Sequence, residues 1–157
     1  MIVMPTFKIT IDSSKLKSKL DATEKQIKEG VEQGLKICGS EIKVHEQRLI
    51  EQRTGHGEYL PTGNLKRSVT ILPLEWSPYG ASISVVPTAN YALYTNSGTG
   101  IFVSGGRQGG WVYTPDNGRN YYFTYGMPPK HFYEDTLDYY REKAPVIIEE
   151  QIYKCLK

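Results

Sequence analysis

Few side chains in this sequence could do chemistry, and their spacing decides how each is read. Ser97 lies in Asn96-Ser97-Gly98-Thr99-Gly100. A nucleophile elbow needs a glycine ahead of its serine and a strand-to-helix turn, so that the hydroxyl meets a base and backbone N–H donors. Ser97 lacks that glycine and has no evident base. Glu134 and Asp135 are adjacent carboxylates, but neighbouring side chains on a helix point about 100° apart. They read as solvated charges near a helix N-terminus, where negative charge is favoured. The run Ser104–Gly110 ends in Trp111, whereas a phosphate-binding loop ends in Gly-Lys-Ser/Thr at a helix start. His45 follows Cys38 by seven residues, on one helical face, while His56, His131 and Cys155 have no matching spacing. A metal needs three or four convergent ligands, so no metal or cofactor is expected, and both cysteines are expected in the core. These readings point away from an enzyme.

Two readings remain for the basic and aromatic residues. Lys66, Arg67, Arg107 and Arg119 could meet phosphates while Trp111, Tyr113, Tyr121 and Tyr122 stack on bases, the combination that binds single strands. The same residue types are enriched at protein interfaces. With 19 Lys and Arg against 17 Asp and Glu, the net charge of +2 gives a weak field for steering onto nucleic acid. The sequence therefore favours a protein interface, with nucleic acid as the alternative.

The elements that must position these residues follow from periodicity. Phe7, Ile9 and Ile11 alternate with polar residues, predicting a short strand within residues 1–13, and Asp12-Ser13-Ser14 offers caps to a following helix. Leu16, Leu20, Ile27, Val31, Leu35, Cys38, Ile42, His45 and Leu49 predict one long amphipathic helix. Gly30, Gly34 and Gly39 interrupt it and mark a bend or a close helix contact. Glycine and proline between Thr54 and Asn64 predict a loop. Val69 and Ile71, then Ala81, Ile83 and Val85, predict antiparallel strands around the turn-rich Trp76–Gly80. Residues 101–126 read as a mobile glycine-rich loop leading into a β-hairpin that turns at Pro115-Asp116-Asn117-Gly118. A helical stripe resumes from Phe132 to Cys155, with Pro145 either kinking it or starting a new helix.

At 157 residues, 39% hydrophobic and 23% charged, the chain has the length and balance of one globular domain. The expected fold class is α+β, with the long N-terminal helix and the C-terminal helix packed on one face of a small antiparallel sheet, and the loop and hairpin inserted. No window is apolar enough for a membrane span, and Met1–Pro5 is too short for the apolar part of a signal peptide.

Three segments resemble a known family: Pro61-Thr62-Gly63-Asn64-Leu65-Lys66-Arg67-Ser68, Ala89-Asn90-Tyr91-Ala92-Leu93-Tyr94 running to Gly98-Thr99-Gly100, and Pro128-Pro129-Lys130-His131-Phe132. In kind and order they are similar to the motifs of the small phage neck and tail-completion proteins typified by the tenth gene product of a lambdoid phage. The resemblance implies that residues 1–157 form a single neck or tail-completion domain that joins head to tail without catalysis. It implies a ring of copies, a hexamer or dodecamer. The implied partners are a connector, stopper or head-closure protein on one side and a tail terminator or tail tube protein on the other. The implied location is the virion neck, or the host cytoplasm during assembly. Carried onto this chain, the motif residues are Thr62, Gly63, Asn64, Leu65, Arg67, Ser68, Tyr91, Tyr94, Gly98, Thr99, Gly100, Pro129 and Phe132. Leu65, Tyr91, Tyr94 and Phe132 are expected to be apolar anchors. Arg107, Trp111 and Tyr113 are added as interface residues from their types alone. Where the family often has acids, this chain has Pro61 and Asn96, and its segment from Ile101 to Tyr125 is longer than the family minimum.

Overall fold

The computed structural model describes residues 7–12, 24–54, 63–114 and 118–157. Thr62, the stripe positions Leu16 and Leu20, the proposed caps Ser13 and Ser14, and most of the Pro115–Gly118 turn lie outside them. The fold is α+β as expected. The chain runs β1 (Phe7–Asp12), α1 (Glu24–Thr54), α2 (Asn64–Ser68), β2 (Val69–Ile71), β3 (Glu75–Ser77), β4 (Gly80–Pro87) and α3 (Ala92–Ser97). It continues through a 3-10 turn (Gly100–Phe102), β5 (Trp111–Tyr113), β6 (Tyr122–Thr124), α4 (Phe132–Arg141) and α5 (Lys143–Cys155).

The main sheet is built on β4. β1 runs antiparallel along one edge, Phe7 opposite Val85 through Asp12 opposite Gly80. β2 and β3 follow each other along the other edge, with Ile71 opposite Val85 and Glu75 opposite Ser82. Four steps from Ile71 to Glu75 thus face three on β4, a bulge that accommodates Pro73, which has no N–H for the ladder. Alternation puts Val69, Ala81, Ile83 and Val85 in the core while Lys8 and Thr10 stay outside.

α1 is the centre of the molecule, with the sheet on one side and α5 on another, and this explains its glycines. A Cβ on Gly39 would lie 2.9 Å from Ile83 Cδ1 of the sheet, whereas one on Gly30 or Gly34 would lie 2.6 or 2.7 Å from the Cα of Ile152 or Ile148 of α5. The three positions permit close contacts, so the bend is not needed to explain them. Gly34→Val is expected to lower unfolding stability by about 1–3 kcal/mol, read as a drop in denaturant midpoint. The gain in helix propensity is outweighed because the obstacle is backbone.

The buried stripe departs from the expected one at its C-terminal end. Ile27, Val31, Leu35, Cys38 and Ile42 are buried as read, but Glu46 and Ile50 then take the core positions, while His45 and Leu49 are half-buried. His45 instead stacks on Tyr139 with ring centroids 4.4 Å apart. Thr136 Oγ1 donates to Phe132 O, so its oxygen is left to accept the His45 Nδ1 proton at 3.3 Å. Cys38 is fully buried and its thiol is pushed up to about 11 by burial; Cys155 is only half-buried. Pro145 falls in the first turn of α5, where its missing N–H has no intrahelical acceptor to lose, so it belongs to a new helix. No helix among the described residues is long and apolar enough to cross a membrane.

Candidate functional site

The third motif and the end of the second meet at one junction. Asn96, 2% exposed at the end of α3, accepts backbone N–H bonds from Lys130 and His131, both 3.0 Å, on its carbonyl oxygen. Its Oδ1 accepts the Tyr133 N–H at 3.0 Å, and its Nδ2 reaches both carboxylate oxygens of Glu134 at 3.0 Å. The N-cap position of α4, His131, is left-handed (φ 47) and offers no side-chain cap. Asn96 therefore caps this helix from another part of the chain, taking a free N–H of the first turn. Arg53 joins the end of α1 to the same place, donating to Lys130 O at 2.6 Å and to Asp135. Phe132 is buried directly after the junction.

Gly98-Thr99-Gly100 and residues 125–129 cross beside it. Thr99 N donates to Met127 O (2.8 Å), Ile101 N to Tyr125 O (3.0 Å), and Met127 N to Thr99 Oγ1 (3.0 Å). Gly98 and Gly100 have φ of 81° and 64°, conformations that L side chains rarely adopt. A Cβ at Gly98 would lie 2.8 Å from Pro129 N, and one at Gly100 would run into the Tyr125 carbonyl. The Gly-Thr-Gly motif thus forms a backbone crossing that clamps both ends of the segment between.

That segment is the arm. β5 and β6 pair from Trp111 opposite Thr124 to Tyr113 opposite Tyr122, as the sequence led us to expect. The preceding glycine run is folded into turns, with Gly106 N donating to Val103 O at 3.0 Å and Gln108 Nε2 to Gly106 O at 3.1 Å. Rings pair within the ribbon, Tyr113 with Tyr122 and Phe123 with Tyr125. Both faces remain open to solvent: Val112 is 58%, Tyr121 73% and Phe123 57% exposed, and Tyr113 and Tyr122 are also exposed. Trp111 is half-buried and Arg107 exposed.

The first motif stands apart from the arm and ties α1 to the sheet. Gly63 is left-handed before α2, Leu65 is buried, and Gln47 Nε2 donates to Lys66 O while Lys66 pairs with Glu51 at 2.8 Å. Ser68 O accepts from both Thr88 N and Thr88 Oγ1. Arg67 turns back onto Asn64 Oδ1, so its guanidinium is engaged within the motif and is not presented with Arg107 and Arg119. Tyr91 and Tyr94 correct the expectation of apolar anchors. They are 41% and 50% exposed on α3, because Ala92, Thr95 and Asn96 take its buried side.

Sequence reading missed Asn96, Arg53 and Glu46. Asn96 attracted notice only as a departure from an acid, and its capping partner is 37 residues away. Glu46 was legible from the four-residue step Ile42, Glu46, Ile50, but its charge argued for the surface. Its Oε1 is buried without a hydrogen-bond partner among the described residues. No three His, Cys, Asp or Glu side chains among the described residues are grouped to hold a metal ion. Compared with protein-family models, curated proteins and solved structures, the chain matches none.

Proposed function

We propose that this chain is a structural protein of a tailed-phage neck, which closes into a ring with copies of itself and joins head to tail, or completes the tail, without catalysis. The observation that carries the reading is the arm. It is a two-stranded ribbon with apolar and aromatic side chains exposed on both faces, clamped at its root by a glycine crossing. An isolated hairpin is marginal in water, and exposed aromatic surface of this kind fits an interface. The three motifs supply the resemblance to neck proteins. A ring requires heterologous contacts whose rotation closes, and the arm supplies one half of such a contact.

The test is solution mass by light scattering, alone and with candidate connector, stopper, terminator and tube proteins, at low and high salt. A closed oligomer, or a salt-resistant complex with a neck or tail protein, is expected. Deleting Ser104–Gly110 is expected to leave a folded monomer with weakened assembly, checked by circular dichroism and mass together; unchanged assembly would remove the arm from the contact. The second reading, a single-strand-binding module, draws on Arg107 and Arg119 near exposed rings. A monomer indifferent to those partners that binds single-stranded DNA at low salt would replace the first reading with it.

A further inference from the structure

The arm carries two exposed cations, Arg107 and Arg119, and neither makes an ion pair or side-chain hydrogen bond among the described residues. The outward side of α5 is its chemical complement. Ala144, Ile148 and Ile152 turn inward, which leaves Val146, Glu149, Glu150 and Tyr153 at spacings of three and four on the opposite side, all exposed. Glu149 and Glu150 have no ion-pair partner among the described residues. On α5 two apolar side chains flank two carboxylates with no ion-pair partner among the described residues, and on the arm Arg107, before β5, and Arg119, beyond the Tyr113–Tyr122 end of the ribbon, flank its exposed apolar side chains.

The segment that follows the arm and the helix that carries this face meet different parts of α1. The arm root is tied through Lys130 to Arg53 at the end of α1, whereas Ile152 packs on Gly30 near its start. At 1.5 Å per residue the two positions are about 35 Å apart along α1. Two different, complementary patches on one chain make a heterologous contact between copies, which repeats around a ring when its rotation closes.

We propose that the arm of one copy docks on the outward face of α5 of the next, with Arg107 and Arg119 meeting Glu149 and Glu150 while the ribbon covers Val146 and Tyr153. This rests on the ring reading above and names the receiving surface.

The experiment compares the mass and concentration dependence of assembly for wild type, for E149R/E150R, for R107E/R119E, and for an equimolar mixture of the two variants. Each reversal alone is expected to move the assembly midpoint to about 10-fold higher concentration or more, through like-charge contact. The mixture restores assembly, because each arm then finds a face of opposite charge on the other variant. The neutral pair E149Q/E150Q, milder to the fold, gives a shift of roughly 3-fold in the same direction. If wild type assembles and none of these changes alters it, or the mixture fails to restore what each reversal abolished, the docking is overturned and the ring stands. If wild type stays monomeric alone and with neck and tail proteins, both fall.

Discussion

Replacing Glu46 by Gln is expected to abolish a fall in stability of roughly 3 kcal/mol that wild type undergoes between about pH 4.5 and pH 7. Burial raises this carboxyl from an ordinary 4.5 to about 7, with one oxygen lacking a partner among the described residues. A raised value means that the folded protein holds the proton more tightly than the unfolded chain. The stabilisation is therefore complete below the unfolded value and disappears as pH rises through the folded one. Other carboxylates titrate in wild type and variant alike, so the difference between their denaturation curves across this window isolates Glu46. Glu46→Met, which is similar in volume and has nothing to ionise, is expected to be the more stable protein at pH 8. Identical pH profiles for wild type and Glu46→Gln would mean that the carboxylate is solvated or paired after all.

Asn96→Asp is expected to cost about 2–4 kcal/mol at pH 8, although it changes one atom. The new carboxylate can still accept the Tyr133 N–H, but it loses both bonds to Glu134 and sets like charges together at a buried position. Acidification should recover part of the loss as one carboxyl takes up a proton. Adding Glu134→Gln should recover more, by returning an amide donor to the pair. Equal stability of Asn96→Asp and wild type at pH 8 would show that this junction is not a tight one. An acid at position 96 would need a partner other than Glu134.

Elements whose periodicity records a single neighbour were legible in the sequence. The alternation of Ile9 and Ile11, or of Ala81, Ile83 and Val85, records one buried face, and the structure has strands there. α1 was legible as a helix but not in its rotation beyond Ile42, because two sides of it are covered and a buried acid stands where an apolar residue would normally report the core. The glycine crossing and the Asn96 cap join residues up to 37 apart, largely by pairing a polar group with a distant backbone N–H or carbonyl, and such partners leave no periodic signature in the sequence. Tyr91 and Tyr94 show the opposite failure: aromatic type suggested anchors, and the small residues between and after them took the inside.

The contact of Gly30 and Gly34 with Ile152 and Ile148 also orders events during synthesis. More than a hundred residues separate these partners, so α1 leaves the ribosome long before α5 exists to cover it. At typical translation speeds of roughly 5–20 residues per second, that side of α1 waits several seconds uncovered. During this interval the nascent chain exposes apolar side chains of α1 that the finished fold buries. A chaperone that holds apolar helices would act on it then, until α5 is made and covers it.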